Sequence, residues 1–118
     1  MARRKVIAMD FDGVINSYKS GWKGETVIPD PPVEGVKEFI DSLREDGMAV
    51  EVFSSRAKTQ AGKEAIERYL EKNDIVVDGV SDRKPAAFVT IDDRAICFKG
   101  TFDGLKDQIN SFKPWNKQ

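Results

Sequence analysis

Four acidic side chains stand where two apolar stretches of the sequence end. Asp10 and Asp12 follow the run VIAM, and Asp92 and Asp93 follow the run FVTI. Carboxylates at the end of a buried strand cost free energy unless they are paired or bind a cation, so this placement indicates a metal site or proton transfer. The alternative for the first pair is an ordinary turn, with Asp10 as a strand cap followed by Asp12 and Gly13.

The absence of histidine narrows the chemistry that these residues could perform. None of the 118 residues is histidine, which excludes Ser-His-Asp and Cys-His catalysis and histidine-ligated zinc. Catalysis would have to use carboxylates, lysine, hydroxyl groups or a hard cation held by oxygen ligands. The composition therefore directs attention back to the aspartates.

Composition also limits the setting of the protein. The 118 residues are enough for a single domain, expected to span 1–118, and the net charge of −1 provides no basic field for nucleic acid. No apolar stretch reaches the roughly eighteen residues of a membrane span, and the N-terminus lacks the features of a signal peptide. The single cysteine, Cys97, lies in an apolar run and is expected to be buried. We expect a cytoplasmic protein, with a monomer and a homo-oligomer both open.

Strands alternate with helices along the sequence. Apolar runs predict five strands, at Lys5–Asp10, Met48–Phe53, Ile75–Val77, Phe88–Ile91 and Ala95–Phe98. Helical spacing of apolar residues predicts three helices, from Val33 to Gly47, over Gln60–Lys72 and between Phe102 and Phe112. This alternation predicts an α/β fold with three Rossmann-like layers, in which helices cover both faces of a mainly parallel sheet. The tail after Lys113 is expected to fray.

The segment between the first strand and the first helix has a different composition. Residues 15–32 contain two glycines and three prolines, with Tyr18 and Trp22 between them. Such a sequence predicts an exposed flap rather than a packed element. Its two aromatic rings would either pin the flap to the body of the protein or contact a substrate.

The predicted strands bring the reactive side chains to one edge. In an open parallel sheet, ligands bind outside the carboxyl ends of the strands. Six polar residues fall at those ends or in the loop before the fourth strand: Asp10, Asp12, Ser54, Lys84, Asp92 and Asp93.

In this order, these residues resemble the four motifs of the haloacid-dehalogenase-like superfamily. The first motif, D-x-D-G followed by a small or apolar residue, is matched by Asp10–Val14, and the second, an apolar strand that ends in Ser or Thr, by Val50–Ser54. The third is a lysine often followed by proline, as in Lys84-Pro85. The fourth, an acidic pair that closes an apolar strand, corresponds to Phe88–Asp93.

The resemblance implies a phosphatase with defined catalytic roles. Asp10 would be the nucleophile that forms an aspartyl-phosphate, and a carboxylate suits this role because it is already ionised at neutral pH. Asp12 would be the general acid and base. Ser54 would donate a hydrogen bond to the phosphoryl group, and Lys84 would neutralise its charge.

The resemblance also implies a Mg²⁺ site. The ligands would be the Asp10 carboxylate, the backbone carbonyl of Asp12 and the Asp92-Asp93 pair, in which Asp93 aligns best with the direct ligand. Asp92 would alternatively orient Lys84 or a metal-bound water. A cation is required on electrostatic grounds as well, because an anionic phosphate would otherwise meet a cluster of negative charge. Weaker candidates for contact with the phosphate or substrate are Gly13, Asn16, Ser55 and Arg56, although Arg56 is more readily interpreted as a solvated surface residue.

The spacing of the motifs bears on the substrate. Forty residues separate Gly13 from Ser54 and 29 separate Ser54 from Lys84, and neither gap can hold the separate cap domain of many relatives. A capless enzyme with an open site is therefore expected. Its phosphorylated substrate could be a macromolecule, including a nucleic-acid end, a nucleotide, or a small ester under the flap, and the balanced charge does not favour nucleic acid.

Two other classes of function compete with the phosphatase. A phosphate-responsive signalling module similar to response-regulator receivers would use the same residue types, but receivers place the acidic pair first and the lysine last. A non-catalytic binding protein on the same scaffold would not need Asp12, so the presence of both Asp10 and Asp12 argues against it.

Overall fold

The sheet has four parallel strands in a computed structural model that describes residues 4–117. The strands are β1 (Val6–Asp10), β2 (Ala49–Phe53), β3 (Gly79–Ser81) and β4 (Val89–Ile91), in the spatial order β3-β2-β1-β4. The helices are α1 (Val36–Glu45), α2 (Gln60–Lys72) and α3 (Leu105–Ser111), with short 3-10 turns at Ser55–Lys58 and Trp115–Lys117. This arrangement is the predicted α/β fold, consistent with three Rossmann-like layers.

β1 lies at the centre of the sheet, with a parallel partner on each side. Its register pairs Asp10 with Phe53 of β2 and Met9 with Ile91 of β4. The residues that follow these pairs leave the sheet at the same edge, as expected for parallel strands. The fold therefore brings the ends of β1, β2 and β4 together.

The core is built on one face of the sheet. The alternating side chains of Ile7 and Met9 in β1 pack with Val50 and Val52 of β2, and both α1 and α2 contribute residues to the same cluster. α1 contributes Val36 and Ile40, and α2 contributes Ile66, Tyr69 and Leu70. At the start of α2 the Thr59 hydroxyl accepts a hydrogen bond of 3.0 Å from the Gly62 backbone N–H, which supports the first turn of the helix.

The third strand begins later than its apolar pattern predicts. Ile75 is buried in the core instead of pairing in the sheet, and Val76 is exposed. The Asp78 carboxylate accepts the Val50 N–H at 2.7 Å, so a side chain takes the place of a ladder bond at the start of β2. The Asp78 N–H also donates to the Val50 carbonyl at 2.8 Å, and β3 begins at the next residue, Gly79.

The predicted fifth strand, Ala95–Phe98, is wrong: these residues form no strand in the described part of the chain. The Asp92 carboxylate accepts a hydrogen bond from the Arg94 N–H at 3.0 Å, which makes a tight turn directly after β4. Cys97 is exposed, contrary to the prediction that it is buried.

α3 and the tail also differ from expectation. None of the residues of α3 is buried, and its apolar residue Ile109 is exposed. The tail that was expected to fray is instead bonded to the body of the protein. The Trp115 indole N–H donates to the Gly13 carbonyl at 2.7 Å, and the Asn116 amide donates to the Ser17 carbonyl at 3.1 Å.

The flap and the lengths of the helices can each be compared with the predictions made from composition. The predicted flap, residues 15–32, forms no helix and no strand beyond isolated bridges at Asn16 and Pro32, but its first residues, Ile15, Asn16 and Ser17, are buried instead of exposed. The longest helix in residues 4–117 has 13 residues, and none of the helices there is both long and apolar enough to cross a bilayer.

Candidate metal centre and active site

Three carboxylates converge at the edge where β1 and β4 end. Asp10, Asp92 and Asp93 each offer one oxygen, and these oxygens lie within 4.8 Å of one another. The spacing suits a single hard cation, which prefers carboxylate and carbonyl oxygens. The two acidic pairs singled out from sequence thus contribute three side chains to one candidate metal group, and the Asp12 side chain is directed elsewhere.

The Asp93 carboxylate carries the clearest sign of a missing partner. Its Oδ1 atom is buried and accepts no hydrogen bond from any residue between 4 and 117. Burial of an unpaired carboxylate oxygen is costly unless a donor or a cation compensates for its charge. A cation among the three carboxylates would supply that compensation.

The electrostatics of the cluster favour retention of a proton when no cation is bound. Burial, followed by the charge of Asp92 and a hydrogen bond with Asp93, raises the pKa of Asp10 from 3.8 to about 8. Burial also raises the pKa of Asp93. In the metal-free site, desolvation and like charges outweigh the hydrogen bond from the Phe11 N–H and favour the protonated form of Asp10, whereas the role of nucleophile calls for the ionised form. Binding of a divalent cation would release this proton.

Gly13 allows the loop after β1 to approach the end of β4. Its φ angle is +89°, a backbone conformation that residues with a Cβ rarely adopt, and a Cβ at this position would overlap the Asp93 carboxylate. Its carbonyl accepts the hydrogen bond from Trp115. Predicted as a phosphate contact, Gly13 is placed where it fixes the distance between the loop and Asp93.

Asp12 is bonded at both carboxylate oxygens. Oδ1 accepts from the Asn16 side-chain amide at 2.9 Å, and Oδ2 accepts from the Arg56 Nε at 2.8 Å. Asn16 is itself buried, and its own side-chain oxygen accepts the Tyr18 N–H at 3.2 Å. The structure therefore brings two weaker sequence candidates, Asn16 and Arg56, into direct contact with Asp12.

Arg56 contradicts the interpretation as a solvated surface residue, since it is only 1% exposed. Its Nη1 donates to three carbonyl oxygens of the flap, those of Gly24 (2.7 Å), Glu25 (3.1 Å) and Val27 (3.5 Å). The Trp22 ring stacks on the guanidinium, with 4.6 Å between Cζ and the ring centroid. Arg56 thus joins Asp12 to the flap.

One signal in the sequence pointed to the burial of Arg56. Gly62 lies inside α2, where glycine costs roughly 1 kcal/mol relative to alanine. A Cβ at Gly62 would overlap the Arg56 backbone carbonyl. This glycine lets the first turn of α2 pack directly against the backbone of the 3-10 turn that carries Arg56.

Ser54 lies at the end of β2, one residue after the partner of Asp10. It is buried, and its Oγ accepts the Arg56 N–H at 3.2 Å, which leaves the hydroxyl proton available for a ligand. The next residue, Ser55, is exposed. The hydroxyl of Ser54 therefore caps the 3-10 turn and can also serve as a donor at the sheet edge.

Lys84 is not brought into contact with the cluster. It is exposed in the loop between β3 and β4 and forms no hydrogen bond or ion pair with the residues that the structure describes. The loop from 82 to 88 has no regular structure.

The sequence identifies Tyr18 only as an aromatic residue of the flap. The structure places it where the charges of Asp12 and Asp93 act on its phenol. Burial and the charge of Asp12 raise the pKa of Tyr18, so its phenol stays protonated at neutral pH. Its φ angle is 58°, an uncommon backbone conformation for an aromatic residue. The side-chain oxygen of Asn16, two residues earlier, accepts a hydrogen bond from the Tyr18 N–H in this conformation.

Comparison with known proteins supports the fold. No protein-family model matches the chain, and a search of curated proteins gave no match. A solved structure of a conserved protein coded by a locus of Bacteroides thetaiotaomicron is similar, with a TM-score of 0.59 and 19% sequence identity over 98% of this chain and 97% of that chain. At this identity the similarity establishes a common fold across nearly the full length of both chains.

Proposed function

We propose that the protein is a Mg²⁺-dependent phosphohydrolase that cleaves phosphomonoesters through an aspartyl-phosphate on Asp10, in the manner of the haloacid-dehalogenase-like phosphatases that its motifs resemble. The observation that carries this proposal is the group of three convergent carboxylates in which one buried oxygen of Asp93 has no partner among residues 4–117. A phosphate group would approach this edge with the cation as its counter-charge.

The donor set fits Mg²⁺ better than a softer metal. Asp10, Asp93 and Asp92 offer only oxygen atoms, and the chain has no histidine. Oxygen ligands without nitrogen or sulfur are characteristic of Mg²⁺, Ca²⁺ and Mn²⁺ sites. One oxygen of Asp92 is already engaged by the Arg94 N–H, which suits a supporting ligand. When bound, the cation would neutralise charge on the carboxylates and the phosphate.

The remaining residues supply attack and proton transfer. One Asp10 oxygen accepts the Phe11 N–H at 2.8 Å, which orients the carboxylate and leaves the other oxygen to attack phosphorus. The phosphorus–oxygen bond to the alcohol would break as Asp12, which must carry a proton for this step, donates that proton to the leaving oxygen and becomes the carboxylate that pairs with Arg56. Asp12 then removes a proton from water, which attacks the aspartyl-phosphate and releases inorganic phosphate. Ser54 would donate its hydroxyl proton to a phosphoryl oxygen.

Lys84 keeps its proposed role as a phosphate ligand on the strength of its motif alone. It lies in the exposed loop between residues 82 and 88, where none of the described residues holds its ammonium group. We therefore propose only that the substrate is a phosphomonoester. The spacing of the motifs leaves no room for a cap domain, so it does not decide between a small and a large ester.

A phosphatase screen tests the proposal directly. Wild-type protein would be assayed with Mg²⁺ and with EDTA against sugar phosphates, nucleotides, phosphorylated oligonucleotides and phosphopeptides, alongside Asp10→Asn. Asp103→Asn, which changes an exposed aspartate far along the chain, serves as the matched control. Turnover that needs Mg²⁺, survives Asp103→Asn and disappears in Asp10→Asn is the expected result.

Two other outcomes would redirect the assignment. Equal inactivity of wild type and Asp10→Asn on every substrate would contradict the phosphatase. A stable phosphoryl group on Asp10 after incubation with acetyl phosphate, without turnover, would instead support the signalling module.

A further inference from the structure

We propose that Arg56 is a positioning residue that couples the closed position of the flap to the orientation of Asp12. The coupling concerns the site of the proposed phosphatase and rests on that function only for its kinetic consequence. Arg56 itself bonds to the Asp12 carboxylate and makes no hydrogen bond or ion pair with Asp10, Asp92 or Asp93 in the described structure. It acts through Asp12 on one side and through the flap tip, residues 21–27, on the other.

The base of the flap is fixed without Arg56. The Ser17 hydroxyl donates to the Pro31 carbonyl at 2.6 Å, and the Tyr69 hydroxyl of α2 donates to the Asp30 carbonyl at 2.9 Å. Ser20 is tied to the Asp30 carboxylate through its N–H and its hydroxyl. These contacts hold the two ends of the flap and leave its tip to be held by other means.

The flap tip depends on Arg56. Within residues 4–117, the hydrogen bonds that reach the tip from outside the flap come from the Arg56 guanidinium, which bonds to three carbonyl oxygens and stacks on Trp22. Trp22 is 54% exposed, so its ring does not anchor the tip in the core. Removal of the guanidinium would therefore free the tip while its base stays in place.

The charge of Asp12 is what keeps the guanidinium buried. Asp12 is the one carboxylate paired with Arg56 in the described structure. Without that partner, a buried guanidinium would be left with neutral acceptors only, and its release into water would become favourable. Because the same group carries the bonds to the flap tip, its release would open the flap. Conversely, opening of the flap would remove the acceptors that hold the guanidinium against Asp12.

The first test measures the flap without reference to activity. Trypsin would be added to the folded protein, and cleavage after Lys23, an exposed residue of the flap tip, would be followed by mass spectrometry. Asp12→Asn alters a side chain whose hydrogen bonds go to Asn16 and Arg56 and not to the flap tip. We expect cleavage after Lys23 to rise at least about tenfold in this variant, because local opening controls proteolysis of a folded chain.

Matched controls separate this effect from loss of structure. Cleavage after Lys63 and Lys72 in α2 should not change in Asp12→Asn, since it reports global unfolding. Asp92→Asn removes a charge from the same site without touching Arg56, and it should leave cleavage after Lys23 at the wild-type rate. Unchanged cleavage after Lys23 in Asp12→Asn, or an equal increase in Asp92→Asn, would overturn the coupling.

The second test is kinetic and uses Arg56→Lys, which keeps the charge but cannot bond to Asp12 and the flap at once. A displacement of Asp12 by about 1 Å should lower kcat roughly 10²-fold, with a much smaller change in KM and with faster cleavage after Lys23. Arg68→Lys, at an exposed position of α2, is the control and should match wild type. A rise in KM with unchanged kcat would overturn the proposal, because it would make Arg56 a substrate ligand.

A third variant covers the case in which Arg56→Lys does not fold. Trp22→Leu removes only the ring that stacks on the guanidinium and should give a smaller increase in cleavage after Lys23, with kcat lowered to a matching degree. If Trp22→Leu opened the tip without any effect on kcat, the link to Asp12 would be wrong. If the wild-type protein had no phosphatase activity, the proposed function would fail while the proteolysis of Asp12→Asn still decided whether the coupling exists.

Discussion

Gly13 and Asp93 are in such close contact that the metal centre depends on the absence of a side chain at position 13. The φ angle of +89° alone would disfavour any Cβ there, and the overlap with the Asp93 carboxylate adds a specific displacement. Backbone strain and displacement of the ligand can be separated, because Gly21 has a similar φ of +75° and a Cβ added there would meet nothing within 4 Å. The two glycines therefore form a natural pair for comparison.

Gly13→Ala should weaken Mg²⁺ binding at least about tenfold, equivalent to roughly 1.4 kcal/mol, because the methyl group moves Asp93 away from Asp10. Gly21→Ala should destabilise the fold by roughly 1–2 kcal/mol from backbone strain and leave Mg²⁺ affinity unchanged. Isothermal titration with Mg²⁺ and thermal unfolding of both variants provide the measurements. Equal Mg²⁺ affinities of the two variants would show that Asp93 is not a ligand.

Asp12 offers a second prediction at the scale of single residues. Asp12→Asn should lower kcat by about 10²–10⁴, the usual contribution of a general acid and base. Mg²⁺ affinity should stay within about threefold of wild type, or roughly 0.7 kcal/mol, because only the backbone carbonyl of Asp12 is expected to bind the cation. Steady-state kinetics and Mg²⁺ titration of the same preparation check both parts, and a large loss of affinity would place the carboxylate itself on the metal.

At the scale of elements, the part of the fold that sequence predicts is the part that is locally determined. β1, β2 and α2 are found close to the positions that their apolar patterns give, and α2 agrees residue for residue with Gln60–Lys72. The convergence of Asp10, Asp92 and Asp93 at one edge follows from the parallel register that the alternation of strands and helices implies, whereas the adjacency of β1 and β4 is known only from the structure. The bounds of β1, β2 and α2 and the parallel direction of the strands can therefore be predicted from local apolar patterns alone.

The elements that sequence misplaces depend on partners that a local pattern cannot reveal. Ala95–Phe98 has the composition of a strand, but the turn between Asp92 and Arg94 directs it away from β4. Arg56 looks like a surface residue because burial of a charge needs both Asp12 and three distant carbonyl oxygens. What decides each case is a polar contact of the folded chain, which apolar periodicity does not encode.

The hydrogen bond from the Trp115 indole to the Gly13 carbonyl is a polar contact between distant parts of the chain that a single substitution can test. Trp115→Phe keeps the aromatic ring and removes the N–H that bonds to the Gly13 carbonyl, which should cost about 1 kcal/mol, or roughly 4 °C in Tm for a domain of this size. Trp22→Phe is the control, since its indole donates no hydrogen bond to residues 4–117 and the smaller ring can still stack on Arg56. Thermal unfolding decides the point, and equal Tm values for the two variants would mean that the tail contact contributes nothing.

For the molecule as a whole, the acidic cluster links stability, pH and metal binding. The Asp10 carboxyl has an ordinary pKa of 3.8 in the unfolded chain and a pKa of about 8 in the folded, metal-free protein. The folded state therefore holds a proton that the unfolded state has lost between these pH values. Stability from this group is fully present below about pH 4 and is lost as the pH rises through about 8. A bound cation removes the penalty, because it favours the ionised carboxylate.

In EDTA, the Tm of the wild-type protein should therefore fall as the pH is raised from about 5 to about 8, and Asp10→Asn should abolish most of this fall because its amide does not titrate. Added Mg²⁺ should raise the Tm of the wild type more at the upper end of that range than at the lower end, since protons compete with the cation for the same oxygens. Asp103→Asn should reproduce the wild-type profile in both conditions. A Tm gain from Mg²⁺ that is independent of pH would mean that the cation binds away from Asp10, and a pH profile that survives in Asp10→Asn would assign the titration to another group.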